Sequence, residues 1–150
     1  MEHGAKTGKK SSRNKQLLHF SEYIFVFLTG ACIYYVIELL WREYSHLTMF
    51  FAGGICFSLI YFFEKRLSQL RIVYRCIIYS MLITAVEFVF GIIFNLILHM
   101  NVWDYSHRAF NILGQVCPLF VVLWAFLSIP AILLCSLIRR LFGKKNEQTA

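Results

Sequence analysis

Four long apolar stretches, separated by short polar interruptions, dominate the chain. They run from about Phe20 to Trp41, Leu47 to Phe63, Tyr74 to Met100 and Val116 to Ile138. A helix crossing the bilayer core needs about 20 mostly apolar residues. Each stretch therefore reads as a spanning helix; the second is short and the third long enough to tilt. The pattern predicts an all-α fold, a polytopic bundle of four transmembrane helices over residues 20–141. A disordered basic tail is expected over 1–19 and a second basic tail over 142–150. The first stretch is too long for a signal peptide and lacks a small-residue cleavage site, so it is expected to be retained.

Polar residues inside these stretches follow a helical period. Ser80, Thr84, Glu87, Gly91 and Asn95 step by four, three, four and four, which places them on one narrow arc of a helix. A charged carboxylate at mid-membrane costs about 3 kcal/mol even on the lenient insertion scale. Glu87 must then be protonated, paired or in contact with water. Two readings stand: polar glue between helices, with Gly91 permitting close approach, or contact with an ion, proton or substrate. In the first stretch Gly30, Tyr34, Glu38 and Trp41 share a face, and Glu38 has Arg42, His46 and His99 as possible partners. Gly54 and Ser58 have the small-xxx-small spacing of helix packing. Pro118 marks the start of the fourth helix, and Pro130 is expected to kink it.

An internal similarity links the two halves. Tyr44-Ser45-His46 with Gly53 and Cys56 matches Tyr105-Ser106-His107 with Gly114 and Cys117 at a constant offset of 61, shared by Gly30 and Gly91. Trp41 and Trp103 match only if one residue is dropped. The expectation is two like-oriented helical hairpins, with Gly30, Gly91 and Gly114 at packing positions and a site between the hairpins toward the outside. The alternative is chance similarity among aromatic-rich membrane segments. The second outer loop, Asn101 to Arg108, is rich in chemistry-bearing side chains. Asp104 with His107 forms a conceivable acid–base pair, but capping of a turn by Asp104 or Ser106 is the simpler role. Asn111 and Gln115, four apart, are expected to share a helix face at the mouth of the fourth span.

Composition agrees with the pattern. The 150 residues are 59% hydrophobic and 15% charged, whereas a soluble domain is about half apolar and a quarter charged. The net charge of +7 does not imply nucleic acid, because the basic residues cluster beside apolar runs; anionic lipid headgroups are the expected partner. Lys6, Lys9, Lys10, Arg13 and Lys15, then Lys65, Arg66, Arg71 and Arg75, then Arg139, Arg140, Lys144 and Lys145 make 13 of 15 basic residues on one side. Only Arg42 and Arg108 fall on the other, so both termini are expected in the cytoplasm. Five cysteines lack C-x-x-C spacing, so no redox motif or zinc site is signalled and no cofactor is expected. The glycine- and lysine-containing tail from Gly4 to Ser11 fails the phosphate-loop spacing.

Several short motifs resemble a known family. Trp41-Arg42-x-Tyr44-Ser45-His46 followed by Gly53-Gly54, Glu87-Phe88-x-x-Gly91-x-x-x-Asn95, Trp103-Asp104-Tyr105-Ser106 and Asn111-x-x-Gly114-Gln115-x-Cys117 resemble the CmpB-like, ABC-transporter type IV family of bacterial integral membrane proteins. The resemblance covers about residues 20–140. It implies a permease component in a bacterial plasma membrane, with any ATPase on a separate subunit, since the chain carries no ATP-binding motif. The small size points to a homo-oligomer or an accessory subunit. The residues expected to meet a substrate or ion are Glu38, Glu87, Asn95, Trp103, Asp104, Asn111 and Gln115. A structural or regulatory subunit is the second reading and a membrane-embedded enzyme the third.

Overall fold

The computed structural model describes the backbone of residues 3–148 and the side chains of residues 16–143. Four long α-helices form the molecule: α1 (His3–Arg42), α2 (Leu47–Leu67), α3 (Ile72–Phe90) and α4 (Pro118–Gln148). A π-helical segment, Gly91–Ile97, extends α3. The parts long and apolar enough to cross a membrane are Gln16–Arg42, Leu47–Leu67, Ile72–Ile97 and Pro118–Gly143. Their lengths, 27, 21, 26 and 26 residues, each exceed the roughly 20 that a span requires. The chain is thus a multi-pass membrane protein of four helices. α1 runs on without interruption through residue 19. The basic side chains of residues 1–15 and 144–150 lie outside the described residues.

Most large apolar side chains on the outer faces are exposed, among them Phe20, Leu40, Val73, Phe126 and Leu133, as lipid contact demands. The interior core gathers Val26, Phe57, Ile60, Tyr61, Tyr79, Ile83, Trp124, Ile132 and Ile138 from all four helices. α1 packs chiefly on α2 and α3 on α4, while α1 and α4 touch little. The α1–α2 seam is close. A Cβ on Gly30 would lie 2.8 Å from the Gly53 carbonyl oxygen, and one on Gly53 would lie 2.9 Å from that of Gly30. Gly54 packs against the Phe27 ring, and Ser58 is half-buried.

The two hairpins differ at their tips. Residues 43–46 link α1 to α2, whereas residues 98–117 form a long ordered loop before α4. His46 N-caps α2, its Nδ1 accepting from the Thr48 N–H at 3.3 Å; its counterpart His107 is exposed in a turn. The 61-residue correspondence therefore does not extend to the local structure of the tips. The helix face expected for Asn111 and Gln115 does not form. Phe110, Leu113 and Gly114 have φ of 56°, 52° and 67°, a left-handed backbone that no right-handed helix contains. Gly114 accordingly lies in the loop and not at a helix-packing position.

Candidate functional site

Glu87 sits where three helices meet, with 4% of its surface exposed. The Tyr34 hydroxyl of α1 donates to its Oε1 at 2.6 Å, and the Trp124 Nε1–H of α4 donates to its Oε2 at 2.7 Å. The Tyr34 and Trp124 rings stack with centroids 5.5 Å apart. Both carboxylate oxygens are therefore satisfied by protein donors. Ser80 and Thr84, on the same arc, donate to backbone carbonyls one turn earlier; Ser80, Glu87, Gly91 and Asn95 are buried and Thr84 half-buried, so the stripe faces inward.

On the far side of the Tyr34–Trp124 stack lies a cleft of about 690 Å³ between α1 and α4. Tyr34, Ile37, Glu38, Trp41 and Arg42 form one wall, and Phe120, Leu123, Trp124, Phe126 and Leu127 the other. Asn101, Trp103, Asp104, Tyr105 and Arg108 of the long loop roof it. All three tryptophans of the chain line this space. Glu38 is buried; it accepts from Arg42 and from the Ser45 hydroxyl. Arg42 also donates to the Val102 carbonyl at 3.0 Å, and its guanidinium lies over the Tyr44 ring. This pair brings polarity to the cleft while neutralising its own charge.

Asn95, Asn111 and Gln115 do not line the cleft but hold the roof residues in place. Asn95, on the π-helical segment, accepts from the Val102 N–H at 2.7 Å and donates to the Trp103 carbonyl at 2.9 Å and to Gln115 Oε1 at 2.8 Å. The Trp103 indole N–H donates to the Gln115 carbonyl at 2.9 Å. Asn111 donates to the carbonyls of Ser106 and Arg108, and its Oδ1 accepts from the Gly114 N–H at 2.9 Å. Gly91 leaves room for Gln115: a Cβ there would come within 2.6 Å of its Oε1. Asp104 caps a turn, accepting from the Ser106 N–H at 2.8 Å and hydroxyl at 2.9 Å. Those two donors hold its carboxyl below the usual carboxylate range, with a smaller contribution from His107. Of the residues expected at a site, Glu38, Trp103 and Asp104 thus line the cleft; Glu87 stands behind its wall; Asn95, Asn111 and Gln115 hold its roof.

Sequence reasoning passed over Trp124, though an indole N–H inside an apolar helix needs an acceptor. It also passed over a cluster at the opposite end of the bundle. Glu64 of α2 is buried and accepts from Arg75 and, at 2.6 Å, from Tyr79, both of α3. Tyr61 of α2 donates to Glu22 of α1, and Arg139 of α4 donates to the Tyr61 carbonyl. The signal was available in Glu64 and Arg75, opposite charges flanking a short interhelical link.

No curated protein and no solved structure matches the chain. A family model described as "Putative ABC-transporter type IV" matches residues 25–149. The match takes in every residue of the Glu87 junction, the cleft and the loop that roofs it, and the chain belongs to that family.

Proposed function

We propose that this chain is a permease-like subunit of a membrane transport system, and that the cleft between α1 and α4 is its substrate chamber. The single observation that supports this is a cleft of about 690 Å³ between α1 and α4 that carries the Glu38–Arg42 ion pair on its wall and Asp104 and Arg108 on its roof. In this reading the loop end faces outward and both termini face the cytoplasm, the orientation that the distribution of Lys and Arg supports. The energy source is an ATPase carried by another polypeptide.

The test is affinity purification of the full chain in mild detergent. An ATP-hydrolysing subunit is expected to co-purify, and Leu123→Trp, which fills the cleft, should change hydrolysis by that complex severalfold without altering its assembly. Recovery of the chain without an ATPase would overturn the transport reading. It would favour a structural or regulatory subunit, which the complete hydrogen bonding of Glu87 also fits. A membrane-embedded enzyme is the weakest reading, because Glu38, Glu87 and Asp104 are all engaged in structural hydrogen bonds.

A further inference from the structure

A smaller space adjoins the chamber. A second, apolar cavity of about 150 Å³ shares Tyr34, Ile37, Trp124 and Leu127 with the cleft and is bounded further along by Ile60, Ala131 and Leu134. Polar groups stand at the roof and an apolar slot lies beneath, so the combined space is polar at one end and greasy along its length. Along α4 it reaches from Phe120 to Leu134, a rise of about 21 Å at 1.5 Å per residue. Half of a hydrocarbon core is about 15 Å. The space therefore fits the depth of one leaflet together with its headgroup layer.

The charges at the roof narrow the class further. Arg42 and Glu38 neutralise each other. Asp104 and Arg108 line the cleft and are exposed. Asp104 is ionised at neutral pH, since its Ser106 donors favour the carboxylate; a guanidinium is always protonated. One accessible anion and one accessible cation complement a headgroup bearing both signs. The Arg42 guanidinium already lies over Tyr44 and Phe120 stacks on Tyr105, which leaves the exposed Trp41 ring to offer a face to an ammonium group.

We infer that the occupant is a zwitterionic phospholipid of the surrounding membrane, its ammonium at Asp104, its phosphate at Arg108 and one acyl chain in the slot toward Leu134. This inference rests on the cleft being a substrate chamber, and names what enters it.

The tryptophans supply the measurement. Trp41 lines the cleft with 65% of its surface exposed, where a Phe keeps an aromatic face, whereas Trp103 and Trp124 are 6% and 9% exposed. In Trp41→Phe, emission therefore comes from two indoles on the cleft wall. The full-length variant is titrated in detergent micelles with phosphatidylethanolamine brominated on its acyl chains. Brominated phosphatidylglycerol, brominated diacylglycerol and water-soluble acrylamide are run in parallel. The zwitterionic lipid is expected to quench saturably and at the lowest mole fraction. Adding Asp104→Asn with Arg108→Gln should weaken that quenching about tenfold, the effect of losing charge-assisted contacts. Adding Ala131→Phe should block the slot and abolish it. Equal quenching by the anionic or the neutral lipid would overturn the headgroup assignment. Quenching by acrylamide with none by any lipid would overturn the lipid and leave the chamber standing as a site for polar solutes. Failure of every quencher would overturn both.

Discussion

Glu87 receives two donors of different character. Tyr34 has a hydroxyl that can reverse its role, while the Trp124 indole can only donate. Glu87→Gln can therefore keep its oxygen on Trp124 and donate its amide to Tyr34. The expected loss is small, under about 1 kcal/mol. Glu87→Leu strands both donors and should cost about 1–3 kcal/mol, given that interhelical hydrogen bonds in bilayers average well under those in dry interiors. Denaturant-induced unfolding of both variants in detergent checks the contrast. A Glu87→Gln chain that folds normally but loses every transport-linked activity would instead assign the carboxylate an ion or proton role. The inward direction of Glu87 was legible, because a charge among apolar residues at helical period has nowhere else to go. Its partners were not, because a phenol and an indole inside apolar helices read simply as apolar.

At the scale of elements, the π-helical segment Gly91–Ile97 decides how the roof is held. Its widened turn ends with the Leu98 N–H on the Ile93 carbonyl at 3.0 Å and the Met100 N–H on the Phe94 carbonyl at 2.9 Å. Asn95 lies in that segment, and its side chain ties Val102, Trp103 and Gln115 together. Asn95→Leu removes all three ties while leaving an apolar side chain to pack. The expected outcome is a loop that opens locally: faster amide exchange at Val102 and red-shifted Trp103 emission, with the four helices retained. Unchanged exchange at Val102 would mean that Asn95 is not the anchor. Apolar length carried the expected helix to Met100, three residues past its observed end at Ile97. The π-turn and the loop's left-handed residues were not, since Phe110 and Leu113 carry no turn signal of their own. They are held at positive φ by the surrounding hydrogen bonds, which only the folded loop supplies.

For the molecule as a whole, the number of spans and their approximate limits followed from apolar length alone, and the internal similarity pointed between the hairpins toward the outside, whereas α1 and α4 as the walls of the cleft had no signature in sequence. Walls drawn from helices far apart in the chain are set by packing, and spacing along one helix does not encode it. Orientation remains open to direct measurement. Cys56, Cys76, Cys117 and Cys135 are buried and Cys32 lies within the first span, so background labelling by a membrane-impermeant maleimide should be low. In intact cells His107→Cys is expected to label and Ser68→Cys to label only after permeabilisation. The reverse pattern would invert the orientation proposed above and, with it, the leaflet that the cleft faces.

The glycine seam between α1 and α2 has a mechanical consequence. Gly30 and Gly53 bring the two backbones together, so these helices have no gap through which to slide and must travel as a unit. Far from the cleft, Glu22 holds Tyr61 within that unit, while Arg75 on Glu64 lashes it to α3 and Arg139 on the Tyr61 carbonyl lashes it to α4. The pair is thus a lever with its fulcrum among those side chains. From Glu22 to Arg42 the arm is about 30 Å long, so a tilt of about 5° would part the far rim by about 2.6 Å. A slight adjustment among a few arginines and carboxylates at one face of the membrane, together with release of the Val102 carbonyl by Arg42 at the rim, would be enough to widen an aperture at the other.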